Sequence, residues 1–310
     1  SPIATAIGVV IVNRHREWHQ AIAQAAEACD AAKGRGLNQI SNYVAGARRA
    51  GSALIDARYI TEFRRLLNTG QLALHPQPIM DIRGEAPRLR KAEFLMRMEK
   101  DGVPMPLPVG TIETLEHFGL VSELDRFSSD FILEWLSSNV SALEKLHSVS
   151  INLSARSLVD GAFMDQLFSD VRAAHLPYGK LCFEITETAA IEHLDVAADW
   201  INQFRSIGAE FSLDDFGSGL CSFGYLQSLP VVEVKIDGRF IREVAYNSAS
   251  QEIVRAIHHV ARAAGKRTVA EFVDDPRKLG MLRELGVDYA QGWLFYPSVS
   301  SEKLLQLLAD

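Results

Sequence analysis

Between Leu72 and Tyr296 the chain alternates strand-like and helix-like stretches. At the ends of the apolar runs stand Glu93, Asn152, Glu184, Asp214, Glu271 and Gln291, with Lys235 among them. Successive members are roughly 20–60 residues apart. A carboxylate at the end of a buried strand is costly unless something uses it. A parallel α/β barrel gathers all its strand ends at one mouth, where its chemistry lies. Oxygen ligands drawn from several strands suit a hard divalent cation such as Mg²⁺ or Mn²⁺.

The pattern predicts strands over Leu72–Ile79, Ala92–Met98, Val149–Leu153, Leu181–Thr186, Glu210–Asp215, Val232–Asp237, Thr268–Val273 and Tyr289–Tyr296. It predicts helices over Glu123–Leu136, Met164–Ala173, Ala197–Ser206, Ser250–Ala264 and Arg277–Leu285. Eight strands with interleaved helices over roughly 250 residues match the size of a (β/α)₈ barrel. Apolar and polar residues alternate in Val149–Leu153, Phe183–Thr186 and Val232–Asp237. In an exposed sheet the polar set would face solvent. In a barrel it enters the lumen, and the recurrence of carboxylates and amides favours the barrel. Residues 1–57 read as a separate, Ala-rich piece with one helix from Glu17 to Ala32 and glycines at 34, 36 and 51. A lead-in helix, Tyr59–Leu67, opens the barrel domain, taken as 58–310.

Composition removes several function classes. A net charge of −7 with no long basic run argues against coating DNA or RNA duplexes or anionic membranes. Cys29, Cys182 and Cys221 are odd in number, lack metal-ligand spacing and fit a reducing cytosol. The longest apolar run, Ile3–Val12, is too short to span a bilayer and has no charged lead-in of a signal peptide. The expectation is a cytoplasmic chain, any membrane anchor lying elsewhere in a longer parent protein.

The motifs Gln77-Pro78-Ile79, Glu93-Phe94-Leu95-Met96-Arg97, Asn152-Leu153-Ser154, Glu184-Ile185-Thr186-Glu187, Asp214-Asp215-Phe216-Gly217-Ser218-Gly219, Lys235-Ile236-Asp237, Glu271-Phe272-Val273-Asp274 and Gln291-Gly292 stand in one order. That order resembles the EAL-domain phosphodiesterases, from about Tyr59 to the C-terminus. The resemblance implies a modified TIM barrel with a short α-rich appendage in front. It implies hydrolysis of cyclic di-GMP to the linear dinucleotide pGpG. By the match, Glu93, Asn152, Glu184 and Asp214 would hold one cation, with Asp215 completing a second site. Glu271 would serve as general base or as a ligand of the second cation, and Lys235 would hold the attacking water or compensate charge. Gln291 would help position that water, Arg97 would pair with a substrate phosphate, and Gln77 would contact a guanine. Glu187 would brace the loop after Asp215, and two barrels would pair as a homodimer with that loop near the interface.

These roles suit the chemistry. Attack on a phosphodiester adds negative charge, and two cations roughly 3.5–4 Å apart stabilise both the entering and the leaving oxygen. An Arg fork matches phosphate better than an ammonium does. Taken singly, Lys235 reads as a solvated strand residue, Asn152 and Ser154 as a helix cap, and Asp214–Gly217 as a turn.

Three departures from the family pattern stand out. Phe94 replaces the Ala of the name-giving triplet, and strand alternation should send it into the helix layer. The same expectation covers Phe272, where many members have Gly. Asp274 stands where Glu is common and is one methylene shorter. The N-terminal Ala6–Val10 and Ala28–Asn38 resemble the closing third of a GGDEF domain without its signature loop, so no cyclase activity is expected. The rival reading is a receptor that captures cyclic di-GMP without turnover.

Overall fold

The computed structural model describes residues 6–9, 25–26, 28–29, 39–42, 60–61, 63–67, 69–100, 103–107, 111–217 and 224–309. The chain divides into two compact units, Ser1–Glu62 and Phe63–Asp310. In the first, β1 (Ala6–Val9) pairs in parallel with β2 (Gln39–Asn42), Ala6 opposite Gln39. Parallel neighbours need a crossover connection, and residues 25, 26, 28 and 29 between them are helical. The rest of the helix expected over Glu17–Ala32, and Gly34, Gly36 and Gly51, lie outside the described residues.

The second unit holds β3 (Leu72–Asp81), β4 (Arg88–Lys100), β5 (Val103–Pro106), β6 (Ser148–Asn152), β7 (Leu181–Thr186) and β8 (Glu210–Phe216). It continues with β9 (Glu233–Ile236), β10 (Arg267–Ala270) and β11 (Tyr289–Gln291). The sheet runs β3-β11-β10-β9-β8-β7-β6-β4 and closes through β3–β4, giving an eight-stranded barrel with β5 as a hairpin on β4. All eight strand expectations land on a barrel strand. One direction differs from an all-parallel barrel: β3 is antiparallel to both β4 and β11. The reason is local. Only residues 82–87 join β3 to β4, and a parallel return needs a dozen or more.

The five expected helices form at Val121–Ser138, Gly161–Ala173, Leu194–Ser206, Ser248–Ala263 and Pro276–Glu284. Three of them start on a side-chain cap. Asp160 accepts from the Phe163 N–H, Asn247 from those of Ala249 and Ser250, and Asp275 from that of Arg277. Each satisfies a donor that the first turn leaves open. Pro276 stands at the first helical position, where its missing N–H is harmless. Among the described residues no helix is long and apolar enough to cross a membrane.

Strand alternation builds two layers. One side chain set packs outward: Phe94 lies 5.0 Å from Trp135 and 6.1 Å from Phe131, ring centre to ring centre. Phe94 therefore enters the helix layer as expected. Truncating such a buried ring costs about 3–5 kcal/mol. The other set fills the lumen. Ile79, Val269 and Tyr289 form an apolar plug there, beside a buried Lys91–Glu233 ion pair whose ammonium lies 4.5 Å from the Tyr289 ring centre.

Candidate active site

The lumen layer above that pair carries the candidate residues. Glu93 lies opposite Gln77 of β3 and Ser150 of β6. It is not at a strand end, as the sequence suggested, because β4 runs on to Lys100. Glu184 pairs in register with Asn152 on one side and Ser212 on the other. Thr186 lies opposite Asp214, and Lys235 opposite Val269. Glu271 follows directly on β10, and Gln291 ends β11 opposite Ile79.

Lys235 is the centre of this layer. Its ammonium lies 3.1 Å from Glu93, 2.5 Å from Glu184, 3.3 Å from Asp214 and 2.8 Å from Glu271. Its side chain is 1% exposed. Burial disfavours the ammonium, but the four surrounding carboxylates raise its pKa well above the ordinary value. One cation cannot neutralise four anions, so the carboxylates divide. Burial opposes the charge of Glu93, yet Lys235 and the amides of Gln291 and Asn152 hold it below the usual range. Burial, with Glu93 beside it, drives Glu184 well above its usual range. Burial likewise pushes Glu271 up to about 8, against the opposing pull of Lys235.

The amides are oriented by these anions. Asn152 donates Nδ2 to Glu93 at 2.9 Å, which leaves its own oxygen unspent by that bond. Gln291 donates to Glu93 at 2.9 Å and to Gln77 at 3.2 Å. Gln77 in turn donates to the Tyr296 carbonyl at 3.1 Å. Arg97 stands two alternations beyond Glu93 on the same face of β4, where Ser298 accepts from its guanidinium at 2.8 and 3.1 Å. Burial lowers its pKa, and Glu93 partly restores it. Ser298 and the Tyr296 carbonyl were not singled out from the sequence. They follow Gln291-Gly292 closely, but neither carries a recognisable residue pattern.

A local irregularity supplies the remaining oxygens. Consecutive strand residues normally face opposite ways. In β8 the register against β9 shifts between Leu213 and Phe216, and Asp215 takes φ 52°. Both Asp214 and Asp215 thereby reach the mouth, and their oxygens and that of Glu271 lie within 4.8 Å of one another. Burial and the Asp214 charge raise Asp215 above its usual range. Deeper in, Glu184 Oε1 is buried with no hydrogen-bond partner. Such an orphan is rare in a folded protein. An all-oxygen donor set with surplus carboxylates and an unsatisfied buried oxygen fits a hard divalent cation.

Glu187 is fully buried and grips two points of the following chain. It accepts from the Gly217 N–H at 2.8 Å and from the Tyr225 hydroxyl. The intervening residues 218–223 lie outside the described set. Phe272 departs from expectation. It does not enter the helix layer: β10 ends at Ala270, φ at Phe272 is 53°, and the residue is 52% exposed. Its ring rests over Gly238, where any side chain would collide with it, and under the Arg242 guanidinium at 4.8 Å. A left-handed backbone suits glycine and costs other residues about 1 kcal/mol or more, which explains why Gly would be the easy choice there. Asp274 pairs with Lys278 at 2.6 Å and is exposed.

The EAL domain family matches residues 60–298. The cyclic di-GMP phosphodiesterase PdeB of Shewanella oneidensis is 35% identical over 266 residues, covering 86% of this chain and 31% of that protein. PdeR of Escherichia coli, also a cyclic di-GMP phosphodiesterase, is 31% identical over 250 residues, covering 78% of this chain and 37% of its own. This chain thus spans about a third of the length of these curated relatives. Among solved structures, the PaMucR phosphodiesterase in complex with c-di-GMP superposes with a TM-score of 0.70 at 28% identity, over 80% of this chain and 99% of that one. The FimX EAL domain of Pseudomonas aeruginosa bound to c-di-GMP gives 0.65 at 27% identity, over 76% and 93%.

Proposed function

This chain belongs to the EAL domain family, and on that premise we propose that its barrel is a metal-dependent phosphodiesterase that opens cyclic di-GMP to linear pGpG. The observation that carries the reading is the convergence of Glu93, Glu184, Asp214 and Glu271 on Lys235, with Asp215 beside them. Four carboxylates on one buried ammonium, Glu93 and Glu184 among them buried, are more than an ion pair needs.

Glu93, Asn152, Glu184 and Asp214 would hold one divalent cation, and Asp214, Asp215 and Glu271 a second, Mg²⁺ or Mn²⁺ by their oxygen chemistry. When bound, such cations lower the pKa of water and stabilise charge on the entering and leaving oxygens. Glu271, in its ionised form, takes the proton of the attacking water, the role of a general base. The water oxygen bonds to phosphorus as the P–O3′ bond breaks, and the 3′ oxygen leaves with the proton that Glu271 took from the water. Lys235 offsets part of the carboxylate charge so that an anionic substrate can approach. Arg97 donates to a phosphate oxygen, exchanging its Ser298 contact for a charge-assisted one. Gln77 and Gln291, already joined to each other, present amides to a guanine edge and to the water.

Glu187 would fix the segment after Asp215, and two barrels would pair near that segment. The first 57 residues would be the end of a degenerate GGDEF-like domain, and the working compartment the cytoplasm. The receptor reading rests on Asp274 alone, an exposed residue whose ion pair is with Lys278. The test is incubation with cyclic di-GMP and Mg²⁺ or Mn²⁺, with chromatography for pGpG. Product should form, vanish in excess chelator and return with added cation. Full turnover in chelator would defeat the mechanism.

A further inference from the structure

We propose that the N-terminal face of the barrel, opposite the acidic mouth, binds a small polyanion of the diphosphate class, such as pyrophosphate or the phosphate tail of a nucleotide. A cleft of about 800 Å³ opens there, within the roughly 300–1,000 Å³ range of small-ligand pockets. Its lining comes from the strand starts: Glu210, Arg267 and Tyr289 are the first residues of β8, β10 and β11, and Arg90 lies near the start of β4.

The charge of the cleft runs against that of the chain. The whole sequence carries −7, yet six Lys and Arg line this cleft with only three carboxylates. Four of the six cations are engaged. Arg83 pairs with Asp81, Arg267 reaches His147, and Lys145 and Lys180 donate to the carbonyls of Leu308 and Leu146. Among the described residues Lys145 and Lys180 bond neutral carbonyls and form no ion pair. Arg90 and Arg205 make no ion pair or side-chain hydrogen bond among the described residues and both are exposed, with Asp81 and Glu210 the cleft carboxylates that feel their charge. Burial, with the cations of Arg267 and Lys91 nearby, pushes the His147 imidazole down to about 4. Arginine forks drawn from separate elements suit the multiple oxygens of linked phosphates better than a single carboxylate. Tyr178, exposed at the edge, offers a ring on which a base can stack. The Lys91–Glu233 pair and the apolar plug separate this cleft from the mouth. The inference is therefore independent of the phosphodiesterase reading.

The test is calorimetric titration of the whole chain with inorganic pyrophosphate at low ionic strength, with no divalent cation added, so that the acidic mouth repels the probe. One equivalent should bind. Arg90→Glu/Arg205→Glu should weaken binding at least about tenfold, as expected for two lost charge-assisted contacts. Arg255→Glu, an exposed charge reversal outside the cleft, should not. The milder Arg90→Gln/Arg205→Gln pair, checked by thermal unfolding, keeps the test open if the reversal disturbs folding. ATP in place of pyrophosphate identifies the source. Tighter binding that Tyr178→Ala removes supports a nucleotide, and equal binding supports the diphosphate alone. No binding of pyrophosphate, or equal weakening by Arg255→Glu, overturns the proposal.

Discussion

Lys235 is one ammonium held by four carboxylates. Removing one partner of a buried ion pair costs about 3–5 kcal/mol because the other charge is stranded. In Lys235→Met a divalent cation becomes the main counter-charge, with Arg97 acting only on Glu93. Thermal unfolding should show a larger Mg²⁺-induced rise in Tm for this variant than for the parent; an equal rise would mean the cation and Lys235 do not share the carboxylates. Glu271 gives a pH dependence. Its folded pKa of about 8 lies above the ordinary 4.5. The stabilisation from its neutral form is therefore complete below about 4.5 and lost as pH rises through 8. Without cation the parent should lose Tm across that window, and Glu271→Gln should lose less. The same variant should keep cyclic di-GMP affinity while turnover drops roughly 10²–10⁴-fold, the usual scale for a general base. Phe272 reverses a common rule. Ala there keeps the left-handed strain and loses the ring, whereas Gly relieves the strain of about 1 kcal/mol. Phe272→Gly should unfold at or above the temperature of Phe272→Ala; the opposite order would show that φ 53° stores no strain.

At the level of elements, the period of the apolar residues located the eight strands and five helices. It could not give the direction of β3, because alternation reads the same along either sense of a strand. Connection length holds that information, and the short 82–87 link decides it. Alternation also failed wherever the backbone leaves regular geometry. At Phe272 it placed a side chain in the wrong layer, and at Asp214–Asp215 only motif similarity showed that neighbours share a face. The Lys91–Glu233 pair was within reach of the sequence: each stands two residues before a singled-out lumen residue, Glu93 and Lys235. The Glu187 clamp belongs to this scale, since one carboxylate ties Gly217 to Tyr225. Glu187→Ala removes an acceptor from both, a cost of about 1–3 kcal/mol. The barrel should stay folded and bind cyclic di-GMP, while pGpG formation falls more than about tenfold, since a positioning error of that kind raises the barrier by over 1.4 kcal/mol. Unchanged turnover would show that the clamp does not serve the chemistry.

The whole chain poses a question of independence. Cα packing divides it at Glu62–Phe63, and every candidate site residue lies in the second unit. A cut before residue 58 would spare the lead-in helix, whose Phe63 is buried and whose Arg64 reaches Glu123 at 2.6 and 3.1 Å. The Arg64 contact is exposed, and such pairs contribute only about 0–1 kcal/mol; burial of Phe63 contributes more, about 1.5–3 kcal/mol. The shortened chain also retains all eight strands that close the barrel, so its sheet has no new open edge. The first unit, by contrast, keeps a two-stranded parallel pair as its described sheet, and a two-stranded sheet is marginal in water without further packing. Deleting residues 1–57 should therefore leave a cooperatively unfolding barrel. Its cyclic di-GMP affinity should stay within about threefold of the full chain, a change under 1 kcal/mol. Neither form should convert GTP. Calorimetric unfolding with nucleotide titration separates the possibilities. A chain that no longer unfolds cooperatively or no longer binds would place residues 1–57 within the barrel's own core and move the domain boundary upstream.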